Sequence, residues 1–177
     1  MIDNDKLADY YRLNNLIRYP QMSRVSNESV ATHSYYVATF TMMICDELGV
    51  SVEEKCKAME MALVHDMPEM YTSDIPSIVK QSSPKLVKLL DQIEEEVVND
   101  HFPEYKGHFD TLSDREDKLS MIVKTADILS VAQYAYHEHR LGNVSMVPVL
   151  QDANKRYKAH AIKMKELHGI TVNLFID

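Results

Sequence analysis

Apolar residues recur every three or four positions along nearly the whole chain, and this period restricts the fold more than any single motif does. Such a stripe covers one face of an α-helix, whereas a half-buried strand needs strict alternation. Val30, His33, Val37, Phe40, Ile44 and Leu48 form one stripe, with Asn27 placed to cap its start and Gly49 to close its end. An earlier stripe, Leu7, Tyr10, Tyr11, Asn14 and Ile17, ends near Arg18-Tyr19-Pro20. Ser51-Val52-Glu53-Glu54 has the form of a capping box, and its helix carries Cys56, Met59, Leu63 and Asp66 before Pro68 stops it. Pro84 suits the first position of a helix bearing Leu86, Leu89, Ile93 and Val97. Ser113-Asp114-Arg115-Glu116 reads as a second capping box, for a helix through Arg140 that Gly142 follows. A last helix runs from about Val147 to His168 and stops at Gly169. Stretches 69–83 and 101–112 read as loops, and the tail 170–177 as a short extended segment. With only 4 glycines in 177 residues to make turns, the expectation is all-α, a single-domain helical bundle.

The net charge of −8 argues against binding to a nucleic-acid polymer, which needs a basic face to displace counterions. A small anionic substrate stays compatible with it, because a local cluster can oppose the global sign. No apolar run approaches membrane-spanning length, and the acidic start Met1-Ile2-Asp3-Asn4-Asp5 has no apolar signal core. Cys45 and Cys56 both fall in apolar helical patterns and read as buried free thiols of a reducing cytosol. No glycine-rich phosphate loop, Cys-x-x-Cys or His-Glu-x-x-His is present.

Three places carry the chemistry. His33 lies on the apolar stripe of its helix. His65-Asp66 closes another apolar helix, and Asp127 shares a face with Val123, Val131 and Tyr134. An unpaired carboxylate on an apolar face costs several kcal/mol, on the order of a lost buried ion pair, so these groups need partners. Two arrangements meet that need: mutual ion pairs, or one shared cation. Imidazole nitrogen and carboxylate oxygen suit Zn, Co, Ni, Mn or Fe. His137-Glu138-His139 reads as surface, because alternate helical residues point in different directions. Glu94-Glu95-Glu96 reads as a solvated face, and Tyr35-Tyr36 and the Met42-Met43 pair as core or interface.

Beyond these residues, five ordered blocks are similar to motifs of a known superfamily. They are Arg18-Tyr19-Pro20-Gln21-Met22, Asn27-Glu28-Ser29-Val30-Ala31-Thr32-His33-Ser34, His65-Asp66-Met67-Pro68-Glu69, Ser73-Asp74-Ile75-Pro76-Ser77-Ile78-Val79-Lys80 and Val123-Lys124-Thr125-Ala126-Asp127. The set resembles the HD-domain phosphohydrolases over residues from about 10 to 140. It resembles bacterial 5′-deoxynucleotidases of the YfbR type and, equally, compact phage dATP triphosphohydrolases of the DatZ type. The resemblance implies that His33, His65, Asp66 and Asp127 hold one divalent transition metal, with Mg accompanying a triphosphate substrate. It implies that Glu69 and Asp74 orient water or handle protons, and that Arg18 grips phosphate with Lys80 and Lys124 nearby. Residue 19 packs against the sugar in the deoxynucleotidases, typically as Trp; Tyr19 departs from that.

The activity these expectations favour is hydrolysis of a 2′-deoxynucleotide at the α-phosphorus. The leading substrate is dATP, giving deoxyadenosine and triphosphate; the alternative is a 5′-deoxynucleotidase acting on monophosphates. The chain's shortness and Tyr19 tilt toward the former. A two-metal phosphodiesterase would need further histidines, and only His101 and His108 lie in the required interval. A non-catalytic nucleotide binder would have no use for Glu69 and Asp74. The resemblance also implies a homo-oligomer in the bacterial cytosol, or in host cytoplasm if phage-encoded.

Overall fold

The computed structural model describes residues 4–172. Among these the chain forms α1 (Asn4–Tyr10), α2 (Val30–Leu48), α3 (Val52–Val64), α4 (Glu69–Thr72), α5 (Ser77–Ser82), α6 (Pro84–His101), α7 (Lys106–Ser113), α8 (Lys118–Arg140) and α9 (Val147–His168). Short 3-10 turns cover Tyr11–Asn14, Pro103–Tyr105 and Val144–Met146. The last described residues, 170–172, carry no regular structure, and the rest of the expected extended tail, like Met1-Ile2-Asp3, lies outside the described residues. No helix among the described residues is long and apolar enough to cross a membrane.

The core lies where α8 packs against α2, α3 and α9. Val37, Ile44, Met61, Met121, Ile122 and Met164 fill it. α8 is buried on nearly every side from Leu119 to Ala135. Thr125 turns its buried hydroxyl onto the helix's own backbone, donating to Met121 O at 2.9 Å.

Several helix boundaries follow the sequence signals. The Ser51–Glu54 capping box forms with both reciprocal bonds. Gly49 closes α2 at φ 62°, a left-handed conformation that suits glycine at this position. Pro84 opens α6 behind the Ser83 cap, and Gly169 ends α9.

Other boundaries differ, each for a local reason. The first helical stretch stops at Asn14, because Ile17 instead bridges to Ser29 in an antiparallel pair. Ser29 caps α2, accepting from Thr32 N–H at 3.1 Å, and Asn27 does not. Asp117 caps α8, while Asp114 accepts from Glu116 N–H in a preceding turn, so the second capping box does not form. The two expected loops contain α4, α5 and α7. On α3 the buried residues are Ala58, Met61, Ala62 and Val64, while Cys56 and Leu63 face solvent. The small Ala58 and Ala62 join the core cluster that holds Cys45, a buried thiol, whereas Cys56 is exposed. Tyr35 and Tyr36 are exposed rather than core. Glu94 is half-buried rather than fully solvated, and burial pushes its carboxyl above the usual range. Glu138 is fully buried rather than surface.

Candidate active site

Three helical segments converge at one point. His33 stands on the first turn of α2, with no exposed surface. Its Nδ1 meets Ser130 Oγ of α8 at 3.0 Å, which fixes the ring and aims Nε2 inward. His65 follows the last turn of α3, and its Nδ1–H donates to Ala62 O at 2.7 Å. A carbonyl can only accept, so a neutral His65 carries its proton on Nδ1 and presents a lone pair at Nε2. Asp127 projects from α8, with Oδ1 3.2 Å from His33 Nε2. Asp66 Oδ2 lies 3.2 Å from His65 Nε2 and 3.6 Å from His33 Nε2.

Both Nε2 atoms are buried without a hydrogen-bond partner. Burial first, then Arg18, holds His33 down at about 4, so its imidazole is neutral near pH 7. His65 goes the other way: burial lowers it, but the Asp66 carboxylate outweighs this and raises it. Asp127 lies well below the usual carboxylate range; burial opposes this, and Lys124 and His33 outweigh it. His33, His65 and Asp127 each offer one ligand atom, all within 4.8 Å of one another, and Asp66 adjoins them. Two imidazole lone pairs aimed at carboxylate oxygens suit a divalent cation, which satisfies all of them at once.

A cleft of about 630 Å³ opens over this cluster. Arg18, Tyr19, Asp66, Glu69, Asp74, Lys80, Lys124 and Asp127 line it, so the structure brings the expected site residues together. His33 and His65 do not line this cleft but contact Asp66 and Asp127, which do, and His65 lines a neighbouring cavity. Arg18 lies 3.6 Å from Asp66 and 3.5 Å from Glu28. Lys124 Nζ lies 2.6 Å from Asp127 Oδ2. The Tyr19 ring stacks on Tyr134, centroids 5.3 Å apart and 8° from parallel. Glu69 is buried and pushed up to about 9 by burial, then by the charges of Asp66 and Asp74. Burial also raises Asp74, with Arg18 opposing.

Glu28 is the residue sequence reasoning missed. It is buried, paired with Arg18, and pushed up to about 7 by burial against the pull of that arginine. It lies inside a quoted motif block, but the backbone pairing that brings it to Arg18 spans ten residues and leaves no periodic trace (Arg18 N–H to Glu28 O, 2.9 Å). His101 and His108 stand apart from the cluster: His101 stacks on Tyr71 and His108 pairs with Glu60 at 3.1 Å. They occupy α6 and α7 rather than a loop, and neither belongs to the metal-capable group among the described residues.

A family model described as 5′-deoxynucleotidase YfbR-like matches residues 7–177. The chain belongs to this family. The 5′-deoxynucleotidase of Shewanella oneidensis is 30% identical over 162 residues, covering 86% of this chain and 81% of its own length. Among solved structures, the PH0347 protein from Pyrococcus horikoshii OT3 superposes with a TM-score of 0.76 at 24% identity, covering 92% of this chain and 94% of that one. The cyanophage S-2L HD phosphohydrolase DatZ, bound to dA and one catalytic Zn2+ ion, superposes with a TM-score of 0.60 at 16% identity, covering 96% of each chain. Both superpositions show a shared fold. Membership of this family makes the YfbR-like chain a phosphohydrolase.

Proposed function

We propose that this YfbR-like chain is a metal-dependent 5′-deoxynucleotidase, hydrolysing 2′-deoxynucleoside monophosphates to deoxynucleoside and phosphate. The observation that carries this reading is the His33–His65–Asp127 cluster beneath a cleft walled by Arg18 and Tyr19. Family membership and relatives such as the Shewanella enzyme favour the monophosphate over dATP, the leading substrate in the sequence expectations.

His33, His65, Asp66 and Asp127 would hold the cation. A divalent cation at such a site supplies acidity toward water and positive charge toward phosphoryl oxygen. Arg18 meets the phosphate, its guanidinium charge kept by Glu28 and Asp66 on either side. Lys80 and Lys124 add positive charge along the same wall. Glu69 holds a proton at neutral pH, and its Oε2 is buried without a hydrogen-bond partner. It donates that proton to the 5′-oxygen as the phosphorus–oxygen bond breaks, and Asp74 takes the proton lost by the attacking water. Tyr19, braced by Tyr134, packs against the sugar and leaves no space for a 2′-hydroxyl.

A second reading keeps dATP as substrate, and one observation favours it. The cleft shares Lys124 and Asp127 with a neighbouring cavity of about 870 Å³, whose Lys106 and Lys163 are paired with Asp110 and Glu116, so it offers room rather than free positive charge. A triphosphate could extend past Lys124 into that space. The discriminating experiment offers dAMP, AMP and dATP separately to the Mn2+- or Co2+-loaded protein and separates the products by chromatography. Deoxyadenosine and phosphate from dAMP, with AMP spared, are the expected products. Intact triphosphate from dATP with dAMP untouched would replace this reading with the second.

A further inference from the structure

His137-Glu138-His139 supplies nothing to the metal cluster, yet its central carboxylate is fully buried. Both oxygens are occupied. Oε2 accepts from Val25 N–H at 2.8 Å and from Asn143 Nδ2 at 2.7 Å. Oε1 accepts from Ser26 N–H at 2.7 Å and from the Ser26 hydroxyl at 2.6 Å. All four donors are uncharged. Burial alone would raise this carboxyl, but these bonds outweigh it and hold it at about 2, so Glu138 is ionised near neutral pH.

Val25 and Ser26 lie in the loop that delivers Arg18 and Tyr19. Arg18 N–H donates to Glu28 O at 2.9 Å and closes that loop. Inside it, Arg24 Nη1 donates to the carbonyls of Arg18 at 2.8 Å and Tyr19 at 2.7 Å. Tyr134, one turn before Glu138 on α8, donates its hydroxyl to Ser26 O at 2.8 Å and stacks its ring on Tyr19. Asn143 Nδ2 also donates to Ser23 O at 2.8 Å. Tyr19 itself sits at φ 56°, a conformation that a tyrosine adopts only when its surroundings enforce it. One face of α8 thus carries Asp127 under the cleft and, three turns on, the carboxylate around which the opposing loop is folded.

We propose that Glu138 is a positioning residue: its buried carboxylate organises the 18–28 loop so that Arg18 and Tyr19 face the metal cluster. The proposal rests on the deoxynucleotidase reading only for the substrate used to test it. Glu138→Gln puts an amide donor where N–H groups already point, and the loop loses a charged acceptor. With dAMP and the metal-loaded full chain, the expected result is unchanged metal stoichiometry and a rise in KM of about tenfold or more, the cost of a hydrogen bond to a charged group. The change in kcat is smaller, and the preference for dAMP over AMP falls. In an Arg18→Ala background the same substitution leaves KM within about twofold of Arg18→Ala alone, because the two act as one unit. Asn143→Ala removes one donor of the four and moves the same quantities in the same direction by less, which guards against misfolding of the first variant. A lower Tm in either variant with unchanged KM and unchanged sugar preference would overturn the proposal, as would full multiplicative effects with Arg18→Ala. If the wild-type protein hydrolyses no nucleoside monophosphate, the substrate reading fails by itself. Calorimetry with inorganic phosphate then decides: Glu138→Gln weakens phosphate binding about tenfold, and an unchanged affinity would overturn the assignment.

Discussion

Asp127 stands on α8, which is packed on nearly every side, and His33 on the buried face of α2, whereas Arg18, Tyr19, Glu69 and Asp74 stand on segments with little regular structure of their own. The helical frame fixes its side chains by core packing around Met61, Met121 and Ile122. The rim loop that carries Arg18 and Tyr19 is fixed by hydrogen bonds with its backbone: Arg24 and Tyr134 donate to its carbonyls, and Glu138 accepts from its N–H groups. A metal site tolerates only small errors in ligand position, so the rigid elements supply it. Substrate contacts can change with loop sequence while the frame stays intact.

That division gives separable effects. Asp127→Ala should abolish both metal binding and turnover while leaving the helical circular-dichroism signal in place, because the residue lies at the cleft and not in the core. Metal analysis of the purified variant checks this, and a metal-loaded, active variant would break the division. Glu69→Gln should keep the metal and lose about 10²–10⁴ in kcat, the range for a general acid–base group. Wild-type kcat would take Glu69 out of the proton transfer. Ser130→Ala removes the partner that fixes the His33 ring, and metal affinity should fall about 10–100-fold by competition with a chelator. An unchanged affinity would mean that helix packing alone orients His33.

The smallest effect concerns the rim and depends on pH. Glu138 is lowered from its ordinary 4.5 to about 2 in the folded chain. A depressed carboxylate stabilises the fold above its unfolded value, and that contribution fades as pH falls toward the folded one. Denaturant melts should therefore show a constant stability gap between wild type and Glu138→Gln above about pH 5, closing between roughly 4.5 and 2. A gap that persists undiminished at pH 2 would mean that shape, not charge, holds the loop.

The frame was more legible in the sequence than the rim, for physical reasons. α2 and α9 carry one-sided stripes closed by Gly49 and Gly169, so period and stop signals agree. α3 misled because the reading followed Cys56 and Leu63, while the helix buries its small residues Ala58 and Ala62. The turns at 113–117 hold two competing acidic caps, and only the structure shows Asp117 prevailing. Asp127 is visible because a charge on an apolar face demands a partner; the stripe that Asp66 continues is not the buried one, and its place beside His65 in a motif block is what marks it. Glu138 follows Asp127, Val131 and Tyr134 at the same helical spacing, so it shares their apolar face although the triplet 137–139 reads as surface. Its exposed neighbours His137 and His139 give the triplet a surface character that masks it. Glu28 had no such signal: its partner is set by loop closure.

The central claim is that the two histidines and the aspartates form one cation site on which turnover depends. Titrating Mn2+ or Co2+ into chelator-stripped protein by calorimetry, with dAMP hydrolysis followed in parallel, tests it most directly. The account predicts one tightly bound ion per chain, activity rising in proportion to occupancy, and neither in Asp127→Ala. Full turnover by the stripped protein, or activity without a stoichiometric binding event, would contradict it.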